Sequence, residues 1–275
     1  MQAQLQLSII AHPAFLLGGL SVYSLIAWDV FAPDAPHLLQ PLDAGLHAAV
    51  QENLDPAVRQ ILSKPVSNFF LVAASVGWIF ATAAALSRRN PRAWAGVGLG
   101  WALWAWGVGP IQHDPLLMDV LKNTFGRARP SPIHSSASFP SGHLASDVLL
   151  VGGLLFVILP LVYGSWEQRA RQEGQRQEEE GGSAGGASVA GLLMTAIDWS
   201  QQHAGPLLGM SVAVTLAGRV GADAHWLSDT LAGAGLGLAL VSGWAGAMQR
   251  MGGGAGAGGH GVAGKRRGAG DEGEG

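Results

Sequence analysis

Long stretches without a charged side chain constrain this chain more than any other feature of its sequence. A helix needs about 20 apolar residues to cross the hydrocarbon core of a bilayer. Five stretches of about that length contain no Asp, Glu, Lys or Arg, namely residues 1–28, 66–86, 93–112, 148–166 and 230–249. A sixth, residues 199–218, is uncharged but contains Pro206, at which a helix beginning as early as Ala187 would kink. The sequence therefore predicts an all-α protein, a bundle of six transmembrane helices.

The rest of the composition is that of a membrane domain with a charged linker and a Gly-rich tail. Only 13% of the 275 residues are charged, against about 25% in a typical soluble domain. Residues 165–187 hold a dense charge run and are interpreted as a cytoplasmic linker within a membrane domain of residues 1–250. Residues 251–275 form a Gly-rich tail that is expected to be disordered. Residues 33–65 carry apolar side chains at helical spacing and are predicted to lie along the membrane surface as a lid or packing element.

The distribution of cations orients the predicted helices. Six spans place both termini on the same side of the membrane. If that side is the cytoplasm, ten of the 16 Lys and Arg residues fall on cytoplasmic segments and six on outer ones, in the direction of the positive-inside rule. We therefore expect both termini to be cytoplasmic, and the loops before the fourth and sixth spans to face the periplasm, a lumen or the cell exterior.

Composition also excludes several kinds of site and partner. The chain has no Cys, which rules out disulfides, thiolate metal sites and cysteine nucleophiles. Its net charge of −3 and its lack of a basic stripe argue against nucleic acid as a partner. The chemistry has to come from polar residues in the outer loops, where three clusters stand out.

The first cluster is KNTFGRARP, residues 122–130. Lys122 and Arg129 are seven residues apart, so that both would project from one face of a helix, and Pro130 would end that helix. A pair of cations at this boundary is also typical of an anchor at the membrane surface.

The second cluster is FPSGH, residues 139–143, directly before the fourth span. The free backbone N–H groups at the start of a helix form a natural anion site, to which Ser141 could add a hydroxyl. His143 stands where it could protonate a leaving alkoxide. A helix cap beside a surface histidine is the alternative interpretation.

The third cluster is RVGADAHWLSD, residues 219–229. His225 and Asp229 are four residues apart at the start of the last span, so their side chains are expected to be neighbours. An aspartate beside an imidazole fixes its tautomer and stabilises the imidazolium, which lets the other ring nitrogen act as a nucleophile. Arg219 supplies a guanidinium fork that suits phosphate oxygens.

Together the clusters place three cations, free helix amides, two histidines and one aspartate on one face of the membrane. Phosphoryl transfer needs such a set: charge that stabilises the phosphoryl oxygens, an in-line nucleophile and a proton donor. The sequence therefore predicts a site for phosphoryl transfer.

The three clusters resemble the tripartite signature of the type 2 phosphatidic acid phosphatase superfamily. That signature reads Lys-x6-Arg-Pro, Pro-Ser-Gly-His and Ser-Arg-x5-His-x3-Asp. The chain matches it at every position except Gly218, where the family usually has Ser, and the resemblance covers roughly residues 10–250. The departure at Gly218 puts only a helper hydroxyl in doubt.

The resemblance implies a six-helix core with its active site at the extracytoplasmic end. It implies a metal-independent lipid phosphatase without a cofactor, whose partners are the bilayer and a phosphorylated lipid. It also implies that His225 becomes phosphorylated, that Asp229 orients it and that His143 is the general acid. The phosphate would be held by Lys122, Arg129, Ser141, the Gly142 amide and Arg219.

Several nearby residues are not assigned to this chemistry. Arg127 is five residues after Lys122, off the predicted helix face, and is expected to be solvated. Asp114 and Asp223 are interpreted as loop caps, and His134 could contact substrate.

Asp147 is harder to place. It lies one turn after His143 in an apolar span, where an unpaired carboxylate is costly, and could pair with an active-site cation or tune His143. The pairs His143/Asp147 and His225/Asp229 would also allow a divalent metal site, although three cations around the same pocket would repel the metal.

Other functions for these motifs stay open. A vanadate-dependent haloperoxidase uses the same phosphate pocket, but those relatives are soluble and six apolar spans argue against one. A phosphotransferase could pass the phosphoryl group to an acceptor other than water, and a transporter or scaffold could keep a lapsed site. The sequence decides neither which lipid phosphate is the substrate nor the oligomeric state.

Overall fold

The structure is a computed structural model that describes residues 2–87, 90–109, 114–132, 136–162, 164 and 189–253. All regular secondary structure in these residues is helical. In chain order the helices are α1 (Gln2–Ile10), α2 (Pro13–Phe31), α3 (Leu39–Asn53), α4 (Pro56–Ser87), α5 (Pro91–Ala102), α6 (Leu116–Phe125), α7 (Gly142–Val162), α8 (Val189–Gln202), α9 (Ala204–Gly221) and α10 (Leu227–Gly253). The predicted linker, most of the predicted Gly-rich tail and His134 lie outside the described residues.

Five of these helices, α2, α4, α7, α9 and α10, are long and apolar enough to cross a membrane. The chain is therefore a multi-pass membrane protein, and the prediction of an all-helical membrane protein is confirmed. The stretch predicted as the third span, residues 93–112, begins within α5 and continues through a π-helical turn at Leu103–Val108. Its last residues, from 110 onward, are not among those described.

The first apolar stretch forms two helices instead of one. α1 ends at Ile10 and α2 begins at Pro13, whose fixed φ and missing N–H suit the first position of a helix. The Ala14 N–H donates a hydrogen bond to Nδ1 of His12 at 3.2 Å, which caps α2. The long apolar helix in this region therefore starts at Pro13 and not at the first residues of the chain.

The helix break in the sixth stretch lies at His203, and the predicted kink at Pro206 is wrong. α8 ends before His203, and Pro206 lies in the first turn of α9. Pro206 has no N–H to donate to the Gln202 carbonyl four residues earlier, so a continuous helix would lose a hydrogen bond there. The first turn of a new helix needs no such bond.

Residues 33–65, predicted to lie along the membrane surface as one lid or packing element, are divided between two helices. α3 ends at Asn53 and α4 begins at Pro56. Asp55 caps α4 because its carboxylate accepts a hydrogen bond from the Ala57 N–H at 2.7 Å. The part from Pro56 onward therefore belongs to an apolar helix, and α3 alone remains as a separate helix in this segment.

α7 is the centre of the bundle. In its most apolar window 89% of the residues are buried, against 28 to 61% in the other four candidate spans. α10 packs on α7 through Gly233 and Gly237, and on α2 through Gly235. A Cβ atom added at Gly237 would lie 2.7 Å from the Val148 Cβ, and one added at Gly19 would lie 2.6 Å from the Gly235 carbonyl. Small residues therefore let the three helices approach closely, as is common between helices in membranes.

Gly233→Ala is expected to destabilise the protein, because the added methyl group would overlap the backbone carbonyl of Ser141 at the start of α7. Backbone cannot swing aside as a side chain can, so we expect a loss of about 1–3 kcal/mol in the free energy of unfolding. Gly246→Ala is the matched control on the same helix, since nothing lies within 4 Å of its Cβ position. The measurement is the midpoint of thermal unfolding in detergent, and equal midpoints for the two variants would contradict this contact.

Candidate active site

Lys122 and Arg129 do not lie on one helix, contrary to the prediction. α6 ends at Phe125, and Gly126 adopts a left-handed φ of 59° while its N–H donates to the Lys122 carbonyl at 2.8 Å. Glycine takes this conformation without steric cost, which is why the helix ends there and not at Pro130. Arg129 projects from the segment that follows, yet lies close enough to Lys122 for the two charges to repel each other.

Lys122 is buried beside a counterion. Its side chain is 9% exposed, and its ammonium group donates to both carboxylate oxygens of Asp114, at 2.7 and 2.8 Å. Burial lowers the pKa of Lys122, and the Asp114 carboxylate opposes that shift. Asp114, interpreted from the sequence as a loop cap, is instead the partner of a buried cation.

Ser141 and Gly142 form the start of α7. The Ser141 N–H donates to the Asp229 carbonyl at 3.0 Å, which ties the start of α7 to the first turn of α10. The Ser141 hydroxyl is buried and has no hydrogen-bond partner among the described residues. A free hydroxyl beside the free amides of a helix start is suited to bind an anion.

His143 follows in the first turn of α7 and is half-buried. Arg219, His225, Arg129 and Lys122 all lie close enough to act electrostatically on its ring. The structure therefore brings the second motif together with the cations of the first and third.

His225 lies in the loop between α9 and α10 and is 2% exposed. Nη1 of Arg129 donates to Nε2 of His225 at 3.0 Å, which places the lone pair on Nε2 and the proton on Nδ1. Nδ1 lies 3.6 Å from Oδ2 of Asp229, longer than a hydrogen bond. Asp229 can thus orient the ring, and catalytic hydrogen bonds of this kind commonly shorten when substrate binds.

The surroundings of His225 keep its ring neutral. Burial lowers the pKa of His225 well below its usual value, and Arg129, Arg219 and Lys122 lower it further. At pH 7 the ring therefore carries one proton, on Nδ1. A neutral imidazole with a free lone pair on Nε2 can act as a nucleophile.

Arg219 lies in the last turn of α9 and is 6% exposed. Among the described residues its hydrogen bonding consists of a 3.4 Å contact from Nη1 to the Ser63 carbonyl, and Nε has no partner. A guanidinium has five N–H donors, so most of the donor capacity of this buried group is unused. Arg219 can therefore bind an anion without breaking strong existing bonds.

Close packing between helices explains why glycine occupies position 218. A Cβ atom there would lie 2.8 Å from the Ser67 Cβ and 3.0 Å from the Leu62 carbonyl, because α9 packs directly on α4 at this point. The close approach leaves no room for a side chain in this chain.

Two residues that the sequence interpretation did not assign to the site hold Asp229 in place. Arg127, which was expected to be solvated, donates from Nη1 to Oδ1 of Asp229 at 2.6 Å and from Nη2 to Oδ2 of Asp43 at 2.8 Å. Asp43 lies in α3, is 3% exposed and accepts a hydrogen bond from the Ser228 N–H at 3.0 Å. Arg127 is therefore a buried ion-pair partner and not a solvated side chain.

Asp223 also contacts α3 and is not a simple loop cap. His47 approaches its carboxylate through Nδ1 at 2.6 Å, and the Gln51 side-chain amide donates to its other oxygen. Asp43, His47 and Gln51 are each four residues apart, so they share one face of α3. That spacing is the sequence signal that could have connected α3 to the site.

Asp147 does not take the first role that the sequence left open, which was pairing with an active-site cation. It is 0% exposed, and its carboxylate oxygens have no hydrogen-bond partner among the described residues. Ser211 and Thr215 of α9 face it. It forms no ion pair with any of the described cations.

Two cavities border these helices, each with a volume of about 460 Å³. One is lined by the segment that carries Arg127 and Arg129. The other is apolar and lies between α4, α7 and α8, at the end of α7 that includes Leu154 and Val162. Only the first of these two cavities borders a candidate site residue.

No family model, no curated protein and no solved structure matches this chain. Among the described residues, no three His, Asp or Glu side chains are grouped so that they could hold a metal ion. The function is therefore inferred from the geometry of the site.

Proposed function

We propose that this chain is a membrane phosphatase of the type 2 phosphatidic acid phosphatase kind, which hydrolyses a phosphate monoester or diphosphate of a lipid through a phosphohistidine at His225. The state of the His225 ring carries this proposal. The ring is buried, neutral and backed by Asp229, and the neighbouring Arg219 has unused donors. A nucleophile beside buried cations is suited to phosphoryl transfer, because the transferred group carries its negative charge on its oxygens.

In the first step Arg129 releases its hydrogen bond to Nε2 of His225 and binds the substrate phosphate instead, which frees the Nε2 lone pair. Nε2 of His225 then forms a bond to phosphorus while the bond from phosphorus to the ester oxygen breaks, and its electron pair leaves with that oxygen. The bound phosphate offsets the charge of the surrounding cations, so that His143 can be protonated and give this oxygen a proton. Asp229 accepts a hydrogen bond from the Nδ1–H, without taking the proton, and stabilises the positive charge that the ring acquires.

In the second step a water molecule attacks phosphorus and His143 takes one of its protons. The bond between phosphorus and Nε2 of His225 breaks, its electron pair returns to the ring, and orthophosphate is released. The two steps add one water across the ester and return both histidines to their starting state.

Five groups are assigned to hold the phosphoryl oxygens through both steps. Arg129 would exchange its present bonds to Ser136 and Ala137 for bonds to the phosphate. Their role is electrostatic, since donors that already point at the developing charge need no reorganisation when it forms. They are Lys122, Arg129, Arg219, the Ser141 hydroxyl and the Gly142 amide.

The membrane arrangement we propose has six spans, in which α5 and its π-helical turn form the third span beside α2, α4, α7, α9 and α10. Residues 91–108 would extend about 27 Å at 1.5 Å per residue, close to the roughly 30 Å of the hydrocarbon core. Six spans put both termini on the same side of the membrane. The cation distribution favours the cytoplasm for that side, and therefore the outer end of the bundle for the site. A lipid head group can reach a site at that boundary from within the bilayer, which supports a lipid as the substrate.

Thiol labelling tests this orientation, because the chain has no Cys of its own. Asn123 on α6 and Ser87 at the end of α4 are both exposed and lie at opposite ends of the bundle in the proposed arrangement. In intact cells Asn123→Cys is expected to react with a membrane-impermeant thiol reagent, whereas Ser87→Cys should react only after permeabilisation. The reverse pattern would invert the topology.

The catalytic test is orthophosphate release by the purified protein from a panel of lipid phosphates. Hydrolysis of at least one of them is expected to survive excess EDTA, because Lys122, Arg129 and Arg219 supply the charge that a metal ion would otherwise supply. EDTA saturated beforehand with Mg²⁺ is the control. Loss of activity on chelation, with recovery on added Mg²⁺ or Zn²⁺, would contradict the metal-independent mechanism.

A further inference from the structure

We propose that Asp43 and Arg127 form a positioning pair behind Asp229, which holds the His225 ring in its reactive orientation, and that Arg127 does not bind the substrate phosphate. The role assigned to them rests on the proposed phosphohistidine mechanism. It adds an outer helix, α3, to the groups on which the nucleophile depends.

The contacts of Arg127 commit its guanidinium to protein groups. Nη1 donates to Oδ1 of Asp229 and to the Ser228 hydroxyl, both at 2.6 Å, and Nη2 donates to Oδ2 of Asp43 at 2.8 Å. The side chain is 14% exposed, and its guanidinium carbon lies 5.4 Å from the centre of the Trp226 ring. Arg127 thus differs from Arg219, whose donors are largely free.

Asp43 fixes both Arg127 and the helix start that carries Asp229. One of its oxygens accepts the Ser228 N–H, and the other accepts the Ser228 hydroxyl and Arg127. Ser228 lies in the first turn of α10, where backbone N–H groups lack partners within the helix. A carboxylate from α3 therefore caps α10 from outside and holds the arginine in place at the same time.

These contacts determine how Asp229 faces the nucleophile. Its Oδ1 is bound to Arg127, and its Oδ2 accepts the Trp226 N–H at 3.0 Å. Each oxygen therefore has its own anchor, which keeps Oδ2 on the side of the His225 Nδ1. Without Arg127 the carboxylate would lose one anchor and also the charge that balances it.

α3 is bound to the same loop at a second point. His47 and Gln51, one and two turns after Asp43, contact Asp223 two residues before His225. One polar face of α3 thus contacts both the start of α10 and the loop that carries the nucleophile. This makes α3 part of the machinery that positions His225 and more than a cover for the site.

The kinetic test compares Arg127→Gln with Arg219→Gln on one lipid phosphate. For Arg127→Gln we expect kcat to fall by roughly 10–100-fold, as is typical when the partner of a site residue is removed, while KM and inhibition by orthophosphate change by less than about twofold. Arg219→Gln should instead raise KM and weaken inhibition by orthophosphate. Lys64→Gln, which removes an exposed cation on the same side, is the control and should match the wild type.

The pH profile supplies a second readout that a merely structural role would not move. Activity requires a neutral His225, so kcat/KM falls at low pH as the ring takes up a proton. Removing the positive charge of Arg127 leaves Asp229 unbalanced and stabilises that proton, so the acid limb for Arg127→Gln should move to higher pH by about one unit. Asp43→Asn removes a negative charge that offsets Arg127. This lowers the pKa of His225, so the acid limb should move to lower pH.

Other charged groups around the ring stay the same in these variants, so the opposite shifts can be assigned to the pair. The groups that face or influence His225 are Arg129, Arg219, Lys122, His143 and Asp229. Arg127→Lys keeps the charge but loses the fork, so its acid limb should match that of the wild type while its kcat is lower.

The outcomes separate this role from the proposed function. If the wild type forms no acid-labile phosphoprotein and releases no orthophosphate, the phosphatase proposal fails and the pair has no nucleophile to position. If the wild type is active but Arg127→Gln keeps its kcat and its acid limb, or raises KM as Arg219→Gln does, the positioning role is overturned. If Arg127→Gln does not fold, as judged by gel filtration in detergent, Arg127→Lys and Asp43→Asn decide the case by the same criteria.

Discussion

Replacement of His225 by Ala is expected to abolish lipid hydrolysis and phosphoenzyme formation together. Removal of a catalytic nucleophile typically costs a factor of about 10⁴ to 10⁶ in kcat. The other histidine of the site, His143, is not expected to take over, because in the described residues no carboxylate forms an ion pair or hydrogen bond with its ring, and Asp147 faces Ser211 and Thr215 of α9. We therefore expect no residual turnover through a second nucleophile.

The measurement is acid-labile ³²P on the protein after brief exposure to labelled substrate, together with orthophosphate release. His203→Ala is the matched control, since His203 lies at the junction of α8 and α9 and contacts Trp199 on its own segment. It should label and turn over as the wild type does. Label that persists in His225→Ala would contradict the assignment of the nucleophile.

Replacement of His143 by Ala is expected to slow the first step most for substrates whose leaving group is strongly basic and therefore has to be protonated. Loss of general acid catalysis should slow the first step on an alkyl phosphate lipid by roughly 10²–10⁴-fold. p-Nitrophenolate leaves without protonation, so the first step on p-nitrophenyl phosphate should slow by much less. The second step also needs His143, as the base for water, so the phosphoenzyme should accumulate.

Rapid-mixing kinetics separate the two steps. The first step on p-nitrophenyl phosphate appears as a burst of p-nitrophenol, and the second as the slower steady-state rate. For His143→Ala we expect a preserved burst, a reduced steady state and more acid-labile label than in the wild type. An equal loss in the first step on both substrates would contradict the acid role of His143 without touching that of His225.

The helices could be predicted from the sequence where lipid replaces water as the solvent, because a helix in lipid has to be apolar over its whole length. The interruptions were harder to predict. The breaks at Pro13 and His203 and the end of α6 at Gly126 depend on single residues whose effect is local, and average hydropathy is blind to them. Gly126 matters most, because it moved Arg127 and Arg129 off the helix on which they had been placed.

The candidate site could be predicted as far as its residues lie within short motifs. Lys122, His143, Arg219 and His225 come together because each lies in the last turn, in the first turn or just before the start of a helix. Their counterions follow no such rule, since a buried cation needs a carboxylate from any part of the chain that packs beside it. Asp43 is 84 residues from Arg127, and only the four-residue spacing along α3 hints at its role.

The contact between α3 and α10 has a consequence for biosynthesis. Asp43 is synthesised 185 residues before Ser228, the residue that it caps. At about 5–20 residues per second the ribosome needs roughly 10–40 s to make that interval, during which the polar face of α3 has to stay in water. Insertion of α10 then completes the charge balance in one event. A nascent chain released before α10 would therefore present unpaired charges and an open helix bundle, which marks it for proteolysis.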